Sequence, residues 1–435
     1  MRIKDAWVLA AKHIVSRRRR YLFLFCALTL GFCVISVTGS LKDGMAESVY
    51  NSARDHYSGD IIISGFESET DSGNRIYGKT VPVIQQKIEE SGIRPDRQAL
   101  RTLQFKDSMI HYNGNAAPMR YLTGVDWDAE KEYFDSLNFT EGVPPSGFDD
   151  EAILVSAPVA AHMGIRSGDL VMLETETMYG QKNTAYFTVS GVIDDRSLFG
   201  YYKSFISRRA LNGLISFDPD DCSTIGLYFK DRAGLERKRE LLQDALTGAV
   251  PLRPLVYDRE GFDREKDWEW DGVMFFLLTV SVYVSDVAQI LQALNIIAYF
   301  LYVMTLLIIM VSAGVTYRLI LHERMKEIGT MRAIGCYGSD IRRMMLFEAA
   351  ILATASLVTG FCVTLFINSM VSELSFSWFP GFEIFLRNGR LLARYSPAAT
   401  AINAAALYVT LFISVGAPSF RFSREPLPEL LSGVY

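Results

Sequence analysis

The chain has 435 residues, of which 49% are hydrophobic and 21% charged, with a formal net charge of −5. That length holds two or three structural units. Five cysteines, only one of them in the long polar segment, exclude a disulfide-stapled secreted scaffold.

The apolar residues are concentrated in four runs. In chain order, residues 1–20 are expected to form an amphipathic helix on the cytoplasmic face. The run Arg17–Arg20 adjoins an oily segment, where it anchors topology and meets anionic membrane lipid rather than nucleic acid. Tyr21–Leu41 carries no charge and is long enough to cross a bilayer core of about 30 Å as a helix. No A-x-A site follows, so it reads as an uncleaved signal anchor. The helical pattern continues through Lys42–His56. One helix over Tyr21–His56 would be about 54 Å long and would overshoot the bilayer by about 20 Å. Residues 21–56 are therefore expected to be transmembrane helix 1 and a stalk.

Residues 57–271 read as a mixed α/β domain. Strands are expected over Asp60–Ser64, Leu100–Phe105, Met109–Tyr112 and Met119–Val125, with a short helix over Val83–Glu90. A small β-rich subdomain is expected at about 151–205, with strands Ala152–Ser156, Leu170–Thr175 and Ala185–Ile193 and a helical turn Pro158–Met163. Strand Thr224–Phe229 and a charged helix Gly234–Leu246 follow.

Residues 272–320 are expected to be a second stalk and transmembrane helix 2, helix-like from Gly272. The span lies within Ile290–Val315. The apolar stretch Val273–Val284 is about 12 residues, too short to span. It would form a stalk face that packs on a partner or lines a path for acyl chains or another apolar substrate. Phe275, Phe276, Leu278 and Val282 would line that path. Then come a cytoplasmic loop (321–344), transmembrane helix 3 (345–372), an outer loop (373–397), transmembrane helix 4 (398–418) and a cytoplasmic tail (419–435). The expected fold class is a four-helix membrane protein with a large α/β extracytoplasmic domain between helices 1 and 2.

Basic residues set the orientation. They cluster before the first span, between the second and third (Arg318, Arg324, Lys326, Arg332, Arg342, Arg343) and after the fourth. Lys42–Tyr317, by contrast, holds 26 Lys and Arg against 40 Asp and Glu. Both termini are expected inside and the large domain outside.

No G-x-x-x-x-G-K-[ST], HExxH or CxxC is present, and the five histidines are scattered. No catalytic site, metal site or cofactor is expected in this chain. Glu348, at the entrance of the third span, is expected at interfacial depth with no functional part. In the loop, Ile328, Met331 and Ile334 stand at helical spacing with Lys326, Glu327 and Arg332 around them. Gly335 and Gly338 break the run, and Ser339 or Asp340 would cap the next helix. This describes a short amphipathic helix suited to a protein groove, or a turn lying on lipid head groups.

The stretch HERMKEIGTMRAIGCYGSDIRRMMLFEAAILATASLVTG resembles the signature of the FtsX-like, MacB-type (type VII) ABC transporter permeases. The matching residues are Glu323-Arg324, Glu327-Ile328-Gly329, Arg332-Ala333-Ile334-Gly335, Asp340-Ile341, Glu348-Ala349 and Gly360. The closing Pro418…Glu425-Pro426…Glu429-Leu430-Leu431 and the segment Ile153–Ile193 are also similar to that family. The resemblance implies a non-catalytic permease subunit that pairs with a second permease, identical or homologous, and with a dimer of ABC ATPase subunits that bind the ATP and Mg. Lys326, Glu327, Ile328, Gly329, Met331, Arg332, Ala333, Ile334 and Gly335 would be the coupling helix seated on the ATPase. ATP hydrolysis would move the periplasmic domain of a protein in the bacterial inner membrane. The segment Ser36–Gly65 is similar to the lipoprotein-releasing branch, which implies a lipoprotein substrate. MacB-like efflux of drugs or peptides, and control of a cell-wall hydrolase, are the alternatives.

Overall fold

The computed structural model describes residues 14, 18–67, 74–104, 108–119, 121–147, 149–194, 203–267, 270–376, 378, 379, 382, 385–387 and 389–422. Most of the expected N-terminal helix and the tail beyond Phe422 lie outside these residues. In chain order the elements are α1 (Arg18–Tyr57), β1 (Ile61–Glu67), α2 (Val81–Glu90), β2 (Arg97–Gln104), β3 (Ser108–Tyr112), β4 (Asn115–Met119), β5 (Tyr121–Val125), α3 (Lys131–Asp135), β6 (Phe139–Gly142), β7 (Ala152–Ser156), α4 (Ala157–Met163), β8 (Leu170–Glu176) and β9 (Lys182–Ile193). There follow β10 (Lys203–Ser207), α5 (Arg208–Ile215), β11 (Thr224–Tyr228), α6 (Leu235–Leu246), α7 (Arg259–Lys266), β12 (Val273–Thr279), α8 (Val280–Tyr283), α9 (Ser285–Glu323), α10 (Met325–Ala333), α11 (Gly338–Glu373), β13 (Leu386–Arg387), β14 (Arg390–Leu391) and α12 (Pro397–Phe422). The chain divides into two compact units, one of Met1–Gly44, Gln292–Leu374 and Leu392–Tyr435, the other of Met45–Leu291 and Ser375–Leu391.

The first unit contains the apolar spans. Four helices, within Tyr21–Tyr57, Val287–Glu323, Gly338–Glu373 and Pro397–Phe420, are long and apolar enough to cross a membrane. On α1 the residues Tyr21, Leu24, Leu28 and Phe32 repeat at three- and four-residue spacing and form one buried stripe. That stripe meets Ile309, Ala313 and Tyr317 of α9, Met345, Ala349 and Leu352 of α11, and Leu407 and Leu411 of α12. Between lipid-exposed helices there is little hydrophobic driving force, so close packing has to hold them together. Gly360 allows it: a Cβ there would stand 2.9 Å from the Phe32 ring and 3.1 Å from the Thr29 carbonyl oxygen. The N-cap of α11 is Tyr337, in place of the expected Ser339 or Asp340; Asp340 lies in the first turn and is buried.

The second unit is built on one sheet of twelve strands, in the order β12-β1-β11-β2-β5-β10-β7-β9-β8-β3-β4, with β6 on β9. Strand β2 joins its two parts. Its first half pairs with β11 and its second half with β5. Helices α2 and α6 bury Ile84, Ile88, Leu242 and Leu246 against β1, β11 and β12. Helices α4 and α5 cover the other part through Val159, Met163, Leu211 and Ile215. The start of α4 is fixed by Pro158 in its first turn, and its end by Gly164 at φ 71°. The β-rich part is not the contiguous stretch 151–205. It draws in β3, β4 and β5, because β5 pairs in parallel with β10 and β3 with β8.

The distal turns of α1 belong to this unit and are held by charge. Arg101, fully buried, donates from Nη1 to the Asp55 carbonyl at 2.6 Å and from Nε to Glu130 Oε1 at 2.8 Å. Lys203 Nζ reaches the same carbonyl at 3.3 Å. Two cations thus satisfy a carbonyl that the helix end leaves orphaned.

Gly272–Leu294 is not helical from its start. Val273–Thr279 is a strand paired along its whole length with β1, and the long helix begins only at Ser285. Phe275 packs on one face of the sheet with α2 and α6; Phe276, Leu278 and Val282 pack on the other with Ile62, Phe66 and Phe262. Both faces of β12 are covered, which is why its sequence is an unbroken apolar run. These four side chains are buried in the core of the unit and do not form an exposed stalk face.

Candidate functional site

Among the described residues of the membrane unit, the hairpin between α9 and α11 offers a polar and apolar surface outside the spans. Helix α9 stops at Glu323, and one residue, Arg324, separates it from the nine-residue α10. Gly335 follows at φ 105°, a conformation that L side chains rarely adopt, and lets the chain turn into α11. The amide of Cys336 closes the turn on the Met331 carbonyl at 3.0 Å.

The expected coupling residues divide between two faces. Ile328 is 1% exposed and belongs to the core of the bundle, with Gly329 buried beside it and Met331 packed partly against it. Ile328 was expected as a knob for a partner; it points instead into its own bundle, because α10 needs an apolar face to lie on the spans. Lys326, Glu327, Ala333, Ile334 and Gly335 are exposed and Arg332 half-buried. Ile334 is 85% exposed and Tyr337 77%. The outward face is thus two large apolar side chains set among charges.

Beneath that face lies a polar cluster that sequence reasoning missed. Arg324, 1% exposed, donates from Nη1 to Glu348 Oε1 at 3.0 Å and to Oε2 at 3.3 Å. Glu348 is fully buried and also accepts from the Tyr21 hydroxyl at 2.7 Å. Arg324 Nε reaches Glu327 Oε2 at 3.3 Å. Burial alone disfavours the charged guanidinium, but Glu348 outweighs it and raises the Arg324 pKa further. Glu348 was expected at the interface with no part to play, and it is instead the acceptor that joins three elements. The signal in the sequence was a carboxylate inside an apolar helix, which stays charged only with a partner.

A second feature of the same unit is a groove of about 480 Å³ lined by α1, α9 and α12. Val34, Ile35, Ala298, Tyr299, Tyr302 and Ile402 make it mostly apolar; Lys42, Asp43 and Asn403 give it a polar part. Lys42 and Asp43 pair at 3.0 Å. Among the described residues no cluster of three or more His, Cys, Asp or Glu side chains is placed to hold a metal ion.

Residues 299–427, which include the hairpin and the third and fourth spans, match the FtsX-like permease C-terminal family. Two solved structures are similar to the chain at low scores. The periplasmic region of MacB from Actinobacillus actinomycetemcomitans is 9% identical with a TM-score of 0.30, over 54% of this chain and 95% of that one. A domain described as that of a permease protein from Porphyromonas gingivalis is 17% identical with a TM-score of 0.29, over 52% of this chain and 90% of that one. No curated protein matches the chain. The chain thus has four helices long and apolar enough to cross a membrane, a large α/β unit between the first two, and a C-terminal segment, residues 299–427, that is similar to the FtsX-like permeases.

Proposed function

We propose that this chain couples ATP hydrolysis by a partner ATPase dimer to movement of its α/β domain, and that the movement releases lipoproteins from the bacterial inner membrane. Both termini and the α9–α11 hairpin are then cytoplasmic and the α/β unit periplasmic. ATP and Mg²⁺ stay on the ATPase, and a second permease subunit completes the complex. The observation that carries the coupling role is the outward face of α10 and the turn after it. Ile334 and Tyr337 are too exposed for a resting surface and stand among Lys326, Glu327 and Arg332. An apolar pair rimmed by charge suits a groove on a soluble partner. For the substrate, support comes from the groove on α1, α9 and α12. It is apolar along its walls and polar around Lys42 and Asp43, matching an acyl chain that ends in a polar head. Removing acyl chains from a bilayer costs about 0.8 kcal/mol per CH₂, so the releasing protein must offer apolar surface in exchange.

The test is depletion of the chain together with photo-crosslinking from position 299. Lipoproteins should accumulate in the inner membrane, and a crosslinker replacing Tyr299 should capture acylated protein. Normal lipoprotein sorting with no acylated adduct would overturn the substrate. Capture of drugs or peptides, or a cell-wall hydrolase bound to the α/β domain, would replace it with efflux or hydrolase control.

A further inference from the structure

We propose that Arg324, Glu348 and Tyr21 form a latch that sets the angle at which α10 leaves α9, making them positioning residues for the ATPase-coupling surface. This rests on the coupling role proposed above. Arg324 is the joint itself, the single residue between the 39-residue α9 and α10. Its amide still bonds back to the Ile320 and Leu321 carbonyls at 3.2 Å, and its carbonyl already accepts from the Ile328 amide at 2.9 Å. The backbone at the joint therefore serves both helices, and the side chain decides the bend. That side chain is held by two contacts to one carboxylate on α11. The same carboxylate takes the hydroxyl of Tyr21 near the start of α1. One buried group thus fixes three helices at one point, and Glu327 ties the first turn of α10 to it.

A surface loop needs no such cluster. Buried ion pairs add little net stability compared with apolar packing, although breaking one by removing a single partner is costly. What they supply is a defined arrangement, because the charge has few alternative partners in an apolar interior. A force on α10 then reaches α1 and α11 through Glu348 and is not absorbed by bending at Arg324.

The test separates positioning from simple stability. In Glu348→Gln alone, Arg324 loses its buried charge partner and keeps the contact to the exposed Glu327. In the double variant Arg324→Gln/Glu348→Gln both charges are gone, so the fold should recover while the latch stays absent. Cys336, in the turn after α10, reports on the joint without any ATPase. In inside-out membrane vesicles the double variant should be modified by a polar maleimide about threefold or more faster than the unaltered chain. In the full complex it should retain bound ATPase, yet substrate-stimulated hydrolysis should fall about tenfold. Unaltered Cys336 labelling and unaltered stimulation in the double variant would overturn the latch. Should that variant fail to insert, Tyr21→Phe decides: it removes one hydroxyl and keeps the ion pair, and unchanged Cys336 labelling in it would overturn the latch equally. Because the Cys336 readout needs no partner, a failure of the ATPase to bind even the unaltered chain would count against the proposed function and not against the latch.

Discussion

At position 226, in the middle of β11, the sheet leaves no space for a side chain: a Cβ there would run into the carbonyl oxygen of Ser58. Ser58 lies just beyond the end of α1, so this glycine lets the turn after α1 sit on the sheet. Gly226→Ala should destabilise the protein by about 1–3 kcal/mol or more, as overpacking does; an unchanged thermal midpoint in detergent would contradict the close approach. Four residues earlier, Cys222 is fully buried, and burial pushes its thiol pKa up to about 12. An unfolded thiol ionises near 8.5. Folding therefore favours the neutral form, so its contribution is intact below about pH 8.5 and is lost as pH rises towards 12. At pH 10 the loss is about 2 kcal/mol. The unaltered protein should lose more stability between pH 8 and pH 10 than Cys222→Ala does, and parallel losses would refute the burial of the thiolate. The sequence showed Cys222 to be the lone cysteine of its domain. It could not show the burial, because what covers the thiol comes from elements far apart in the chain.

The elements of the α/β unit were legible wherever alternation or turn residues framed them. The expected Ala152–Ser156 is the observed strand, and Val83–Glu90 and Gly234–Leu246 fall within a residue or two of α2 and α6. The failure was β12. An unbroken run such as VMFFLLT fits a buried strand or a helix face equally well, and only its pairing with β1 decides. The hairpin shows a subtler limit. Spacing put Ile328, Met331 and Ile334 near one face of α10, but a short helix on a bundle must give part of that face to the bundle. The structure turns this into a prediction with opposite outcomes at two isoleucines. Ile334→Asp should leave insertion and thermal stability unchanged and reduce ATPase copurification about tenfold or more, in keeping with loss of an interface anchor. Ile328→Asp should instead destabilise the chain itself, by several kcal/mol, because it buries an unpaired carboxylate. Equal loss of ATPase from two equally stable variants would show that the two faces are wrongly assigned.

For the molecule as a whole, the charge pattern and the cysteines bear on the same question. Basic residues flank the cytoplasmic ends of the spans in the proposed orientation, while Lys42–Tyr317 is acidic, with 40 Asp and Glu against 26 Lys and Arg. The five native thiols can test this without any substitution. Cys33 and Cys222 are buried. Cys26 and Cys362 are exposed, but on α1 and α11 within the apolar spans, where a bilayer would cover them. A polar, membrane-impermeant maleimide reacts with thiolate in water, and lipid-facing thiols offer almost none. That leaves Cys336, partly exposed at the turn into α11. Sealed right-side-out vesicles should therefore take up no label, and inside-out vesicles about one equivalent per chain, with the adduct on the peptide that contains Cys336. The reverse pattern would place α10 and the acidic α/β unit on the opposite sides. An ATPase in the cytoplasm could then not reach Ile334 and Tyr337, and the coupling role would be lost with the orientation.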